Sequence, residues 1–554
     1  MTSRSAAQVL VDQLVGNGVT HAFCVPGESF LPVLDALRDS PIKVIICRQE
    51  GGAAMMAEAI GKATGRPGVC FVTRGPGATN ATHGIHIAQQ DSTPLLMFVG
   101  QVERGFRERE AFQELDLRAV FGSMTKWTSE IDDARRVPEL VSRAFYAATA
   151  GRPGPVVLGL PRDMLDEKIN VVDAPPFAPV EIAPGEAEIA QFRNILLRAE
   201  RPLFILGGSR WNEAAYQTIH DFAARFDIPV VTSYRRLPLF DPLHPSYAGD
   251  LGIGPNPKLV AAIKSADLIV ALGGRLGDIP SQGYRLFDIP APKMLVHVHP
   301  GVEELGRVYR PHLAINATPT RFCAALGALA TPKHIAWRSL TETLHRDYLA
   351  WTDVATPQPG SVNLGAIMVW LREALPIDTI LCNGAGNYAA WVHRFYRFRR
   401  FGTHVAPASG SMGYGVPAAV AMKLLRPERL VLSLAGDGDF LMNGQEFATA
   451  VQYNLPIVFI VCDNASYGTI RMHQEREFPG RVVGTDLRNP DFAAYACAFG
   501  GFGVTVERTE DFPEAFKAAR EAGVPAIIHL KIDVDAVTPA TTLTHIREQA
   551  RARF

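Results

Sequence analysis

Residues 430–474 constrain this chain more than any other stretch. They open with a leucine-rich, β-branched run, Leu430-Val431-Leu432-Ser433-Leu434, which breaks at Ala435-Gly436-Asp437-Gly438-Asp439. A helical pattern follows over 445–450, and a second strand over 457–461 ends at Cys462-Asp463-Asn464-Ala465-Ser466-Tyr467-Gly468. In a β-α-β unit two parallel strands end on the same sheet edge, so Asp437 and Asn464 converge where α/β folds bind ligands. A carboxylate, an amide oxygen and a backbone carbonyl meeting there are hard oxygen ligands of the kind Mg²⁺ takes, and Mg²⁺ keeps open positions for diphosphate oxygens. Gly436 and Gly438 let the backbone approach such an anion closely. Gly-Asp-Gly alone is an ordinary tight turn; the Asp-Asn pair after the next strand gives it weight.

At 554 residues the chain exceeds one core and fits roughly two to four domains. A net charge of -1 supplies no basic field for nucleic acid and no acidic tail. Charged residues interrupt every apolar run before membrane-spanning length, and no signal-peptide core follows Met1, which points to the cytoplasm and away from a membrane. Seven scattered cysteines without CxxC spacing argue against a disulfide framework or a zinc site and read as small buried hydrophobes.

Residues 1–175 alternate helix and strand, with strands expected at 21–25, 44–47, 69–73 and 95–99 and helices at 6–15, 30–38, from near Glu50, and at 79–89. A linker containing Ala174-Pro175-Pro176-Phe177-Ala178-Pro179 leads to a second block, 186–335, with strands expected at 203–206, 230–233, 268–272 and 294–299. Pro357-Gln358-Pro359-Gly360-Ser361 introduces the third block, 360–554. The expected fold is α/β, with three doubly wound parallel-sheet domains.

Other constellations sit at strand ends. Glu50, in Arg48-Gln49-Glu50-Gly51-Gly52, stands where a strand passes into a helix, a place that the helix dipole alone favours for a glutamate. Gly75-Pro76-Gly77-Ala78-Thr79-Asn80 follows the next strand, and Pro26-Gly27-Glu28 follows the first. Ala111-Phe112-Gln113-Glu114 reads as a charged surface loop with one aromatic. In the third block Asn383-Gly384-Ala385-Gly386-Asn387-Tyr388 is a glycine-rich loop able to present N–H groups to phosphate, and Ser409-Gly410-Ser411-Met412-Gly413 sets a methionine between glycines. His297 and His299 alternate with valines and read as strand decoration.

These motifs, in this order and over nearly the whole chain, resemble those of thiamine-diphosphate enzymes of the acetolactate synthase and 2-oxo acid decarboxylase superfamily. The resemblance implies two thiamine-diphosphate-binding folds flanking a Rossmann-like central domain. It implies that Asp437, Asn464 and the Ser466 carbonyl hold Mg²⁺ on the diphosphate, although Asp463 departs from the usual first asparagine of the pair. It makes Glu50 the carboxyl group that shares a proton with N1' of the aminopyrimidine, the step that activates the ring. Acetolactate synthases carry the same GPGATN and AFQE sequences, so Pro76 and Asn80 enter as cofactor contacts, and Phe112 and Gln113, with Gly27, as residues on the substrate side. Gly384, Gly386 and Asn387 occupy the place of a diphosphate-contacting loop. Met412, next to Gly410, aligns with the apolar wedge that bends the cofactor, and Gly436, Gly438, Asp439, Tyr467 and Gly468 complete the cofactor set.

Two departures bear on substrate. His473 stands where branched-chain biosynthetic acetolactate synthases carry a tryptophan, and His83 and His86 are separated where pyruvate decarboxylases have a His-His pair. The implied reaction is decarboxylation of a pyruvate-like 2-oxo acid followed by carboligation to a second carbonyl, in a homodimer or homotetramer with the site between subunits. A non-ligating 2-oxo acid decarboxylase or C–C lyase is the alternative within the superfamily, and a nucleotide-binding electron-transfer or regulatory protein is the alternative outside it. Related enzymes bind FAD at the loop that Leu272-Gly273-Gly274-Arg275-Leu276-Gly277-Asp278 resembles, so FAD stays an open second cofactor. The tail over 537–554 reads as a lid or merely an end.

Overall fold

The computed structural model describes residues 3–290 and 293–553; Met1, Thr2 and the terminal Phe554 lie outside the described residues. The chain divides into two compact units. One comprises Met1–Val180 together with Val420–Leu425 and Gln445–Tyr453, and the other comprises the remainder.

The first unit holds a six-stranded sheet built from β1 (His21–Cys24), β2 (Lys43–Ile46), β3 (Gly68–Thr73), β4 (Leu95–Gln101), β5 (Trp127–Glu130) and β6 (Pro155–Pro161), ordered β2-β1-β3-β4-β6-β5. Every ladder is parallel, and β4 and β6 are buried along their whole length, as expected when helices cover both faces. Phe71 stacks between Phe30 and Phe98, at ring separations of 6.0 and 5.1 Å, in the core under the sheet.

Helix α1 (Glu50–Thr64) follows β2 and α2 (Arg74–Asp91) follows β3. Their small residues let them pack closely: a Cβ added at Gly84 would stand 2.4 Å from that of Ala54. The helix expected over 79–89 therefore begins earlier, at Arg74, and Gly75-Pro76-Gly77 forms its first turn. Proline is tolerated there because first-turn N–H groups have no partner within the helix.

The second unit carries two further six-stranded parallel sheets. One is ordered β9-β8-β7-β10-β11-β12, from β7 (Pro202–Leu206), β8 (Val230–Ser233), β9 (Tyr247–Leu251), β10 (Leu268–Leu272), β11 (Met294–His299) and β12 (Leu313–Asn316). The other comprises β13 (Ile380–Asn383), β14 (His404–Val405), β15 (Val431–Gly436), β16 (Val458–Asp463), β17 (Phe502–Val506) and β18 (Ala526–Lys531), ordered β14-β13-β15-β16-β18-β17. The three sheets bear out the α/β, three-domain expectation.

Strand β15 passes straight into α3 (Asp437–Asn443), so Gly-Asp-Gly is a strand end and a helix first turn where the sequence suggests a free-standing turn. Helix α4 (Gly468–Glu477) follows β16, and α5 (Leu543–Arg551) packs against it through Arg547 and Glu475, 2.8 Å apart. Among the described residues no helix is long and apolar enough to cross a membrane. Six of the cysteines are buried, and Cys497 is exposed.

Candidate active site

In the first unit, the ends of β1, β2 and β3 gather the residues expected to do chemistry. Glu50 is the first residue of α1, capped by Gln49, whose side chain accepts Gly52 N–H at 3.1 Å. The backbone N–H groups of Arg48 and Gln49 donate to Glu446 Oε1 at 2.9 and 3.0 Å, and the Thr449 hydroxyl donates to Oε2 at 2.6 Å. Glu446 is fully buried; burial pushes its pKa up while these donors pull it down.

The Asn80 amide donates to Glu50 Oε2 at 2.9 Å, and a Cβ at Gly77 would lie 3.2 Å from Oε1. Gly75 N–H donates to the Gln113 carbonyl at 2.8 Å, which ties the Phe112-Gln113 loop to the start of α2. Phe112 is 73% exposed, with the Arg74 guanidinium 5.9 Å from its ring centre, and Pro76 in the first turn of α2 is exposed too. Gly27 packs on β3, where a Cβ would meet Thr73 at 2.4 Å. Glu50, Asn80, Gly27 and Gln113 thus belong to one sheet edge, and Glu50 and Asn80 are in direct contact.

In the second unit a cavity of about 270 Å³ opens at the carboxyl ends of β13, β15 and β16. Gly386, Asn387, Gly410, Met412, Gly436, Asp437, Gly438, Asp439, Asn464, Ser466, Tyr467 and Gly468 line it, with Leu364, Trp391, Ile470, Ile532 and Val537 supplying apolar wall. Close approach here requires glycine: a Cβ at Gly438 would lie 2.5 Å from Tyr467. Gly384 stands behind the wall against Asp439, and His473 is exposed and outside the lining. Ile532, Ala536 and Val537 bring the start of the C-terminal tail into the cavity.

Asp437 is buried, and burial lifts its pKa to about 6, against donation from Gly438 N–H at 2.9 Å and the Asn489 amide at 2.7 Å. No lysine or arginine pairs with it among the described residues. Asp463, the departing first position of the pair, is used differently. Burial raises its pKa too, but donors from His529, Lys531, Asn489 and Ala465 N–H outweigh that and hold the carboxylate well below its usual range.

These residues fit Mg²⁺ and a diphosphate. Asp437 is a buried carboxylate left without a counter-charge, and the Asn464 side chain makes no hydrogen bond among the described residues. The Ser466 carbonyl is the third oxygen of the set. A hard cation at this point supplies the missing charge. No group of three His, Cys, Asp or Glu side chains that could hold a metal ion occurs among the described residues.

Family models match three stretches of the chain. Residues 4–120 match the N-terminal thiamine pyrophosphate-binding domain of thiamine pyrophosphate enzymes, 189–326 their central domain, and 384–530 their C-terminal thiamine pyrophosphate-binding domain. The acetolactate synthase isozyme 2 large subunit of Escherichia coli (strain K12) is 31% identical over 536 residues, covering 96% of this chain and 96% of that protein. The chain belongs to the thiamine pyrophosphate enzyme family. The acetolactate synthase large subunit of Parasynechococcus marenigrum (strain WH8102) is 31% identical over 95% of this chain and 87% of its own length. The acetolactate synthase of Bacillus subtilis (strain 168) is 28% identical over 96% and 94%. Membership sets aside the electron-transfer or regulatory reading.

Several residues of this thiamine pyrophosphate enzyme's site carry no sequence signal. Asn489 comes from a loop and bridges Asp437 and Asp463, both at 2.7 Å. Asn387 is engaged by Thr469, whose hydroxyl donates to its Oδ1 at 3.0 Å and accepts its N–H at 3.1 Å. The loop expected to resemble an FAD site spends its glycines on packing. A Cβ at Gly208 would stand 1.7 Å from the Gly273 carbonyl, and His297 Nε2 donates to the Gly274 carbonyl at 2.8 Å. Trp211 closes the same corner through its N–H to Gly207 O at 2.8 Å. FAD gains no support from these contacts.

Proposed function

We propose that this enzyme decarboxylates a 2-oxo acid of the pyruvate kind, with thiamine diphosphate and Mg²⁺, and joins the remaining carbon unit to a second carbonyl, as the names of its acetolactate synthase relatives suggest. The observation that carries the reading is the buried, cation-free Asp437 beside Asn464 and Ser466 at the mouth of the cavity. Thiamine diphosphate, when bound, supplies a thiazolium carbon that attacks the keto carbon and takes up the electrons released as CO₂ leaves.

The chain's own residues do the rest. Asp437, Asn464 and Ser466 would hold the metal, and the glycines at 436 and 438 admit the diphosphate. Glu50 holds the proton at the aminopyrimidine N1', with Asn80 fixing its carboxyl orientation. Met412 presents an apolar surface inside the cavity, and Trp391, Ile470 and Val537 keep water from the reacting centre. Phe112, Gln113 and Gly27 face the substrate side. The site is completed in a homo-oligomer, at least a dimer, in which Glu50 of one chain faces the metal motif of another; the exposure of Phe112 and Pro76 supports that reading.

The test follows CO₂ and carbon products from pyruvate with both cofactors, with and without an added aldehyde or glyoxylate. Acetolactate or another ligated product supports carboligation. Acetaldehyde alone reassigns the enzyme as a non-ligating decarboxylase, and no CO₂ from any 2-oxo acid contradicts the proposal.

A further inference from the structure

We propose that Asp439 is a positioning residue, whose carboxylate holds Met412 and the 384–388 loop in the arrangement that receives the cofactor, and that it does not bind the diphosphate itself. The inference rests on the cofactor reading of the cavity. Its basis is how the carboxylate is spent. Oδ1 accepts the N–H groups of Gly413 at 2.7 Å and Ala385 at 3.3 Å, and Oδ2 accepts the Tyr388 hydroxyl at 2.6 Å. Only 3% of the residue is exposed. An ionised carboxylate aimed at a diphosphate repels it, whereas one turned to three protein donors organises the segments that carry them.

Those segments matter. Gly413 directly follows Met412, and its carbonyl accepts the Asn443 amide at 3.0 Å, so its peptide groups are anchored on both sides. Its φ of +77° and the 2.6 Å separation that a Cβ would have from Met442 leave this turn to glycine. The second segment is fixed as tightly: a Cβ at Gly384 would lie 2.2 Å from Asp439 Oδ1, and buried Arg235 donates to the Gly384 carbonyl at 2.8 Å. Losing the carboxylate frees the backbone beside Met412 and the loop wall together.

Thiamine diphosphate is titrated into the full chain with Mg²⁺, reading the fluorescence of Trp391 in the cavity wall, with Trp391→Phe as the control that assigns the signal. Asp439→Ala weakens affinity by about ten-fold or more. Asp439→Asn, which keeps an acceptor oxygen, restores most of it. In a double-mutant cycle the Asp439→Ala effect shrinks in a Met412→Ala background, because the two act through one arrangement. Unchanged affinity in Asp439→Ala, or full additivity with Met412→Ala, overturns the inference. If Asp439→Ala does not fold, Tyr388→Phe is read the same way, with a few-fold weakening expected and unchanged affinity overturning the inference. Absence of any wild-type binding overturns the cofactor reading, and this inference with it.

Discussion

Gln49 donates its backbone N–H to the carboxylate of Glu446 at 3.0 Å, one residue ahead of Glu50. With Arg48 N–H on the same oxygen, one buried carboxylate anchors the strand-to-helix corner that leads into Glu50. Glu446→Ala leaves two backbone donors unpaired and lowers stability by about 2 kcal/mol or more. Glu446→Gln keeps an acceptor and loses less. Denaturant unfolding of both variants checks this, and equal losses contradict it.

The Asn489 amide donates to Asp437, the carboxylate that the proposed function assigns to Mg²⁺, at 2.7 Å. Asn489→Ala is expected to weaken Mg²⁺ affinity by about ten-fold or more, the usual cost of losing a group that orients a ligand. Asp437→Asn removes the charge and costs more. Calorimetric titration of Mg²⁺ in the presence of thiamine diphosphate measures both, and a chelator should strip the cofactor from the wild type.

Asp250 gives a pH signature outside the cavity lined by Asp437. Burial pushes its carboxyl pKa up to about 7, against a pull from Gly252 N–H. Because the folded value lies above the unfolded one, the unfolded chain gives up its proton first as pH rises. The group costs nothing below about pH 4, and its penalty grows until pH passes 7. Asp250→Asn should therefore leave stability unchanged near pH 4 and raise it near pH 8, with a flatter profile between. Thermal unfolding across that range shows it; a gain of equal size at both ends contradicts the assignment.

The buried central strands of the second unit, Val230–Ser233, Leu268–Leu272 and Met294–His299, coincide with apolar runs in the sequence because both faces of each are covered. Edge strands escape that logic. Tyr247–Leu251, with Gly249 and Asp250 inside it, and the two-residue His404–Val405 have no apolar run to betray them. Helix starts at Arg74 and Asp437 are hidden by glycine and proline, which read as turns although a first helical turn accepts them.

The juxtaposition of candidate site groups was legible where they sit at strand ends. Asp437, Asn464 and Ser466 line one cavity, and Asn80 meets Glu50, because strand ends in a parallel sheet share an edge. Asn489, on a loop without a motif, meets Asp437 and Asp463, and Tyr388 and Glu446 find their partners, only through tertiary structure. Asp439 was expected as a cofactor contact; it lines the cavity, yet its carboxylate points to protein donors.

The most direct measurement compares Glu50→Gln with the wild type for both thiamine diphosphate affinity and turnover of the 2-oxo acid. Glutamine keeps the size of the side chain and an oxygen for Asn80 but cannot share a proton with the cofactor. Near wild-type affinity is expected, with turnover lower by on the order of 10² to 10⁴. Undiminished turnover would contradict the role proposed for Glu50.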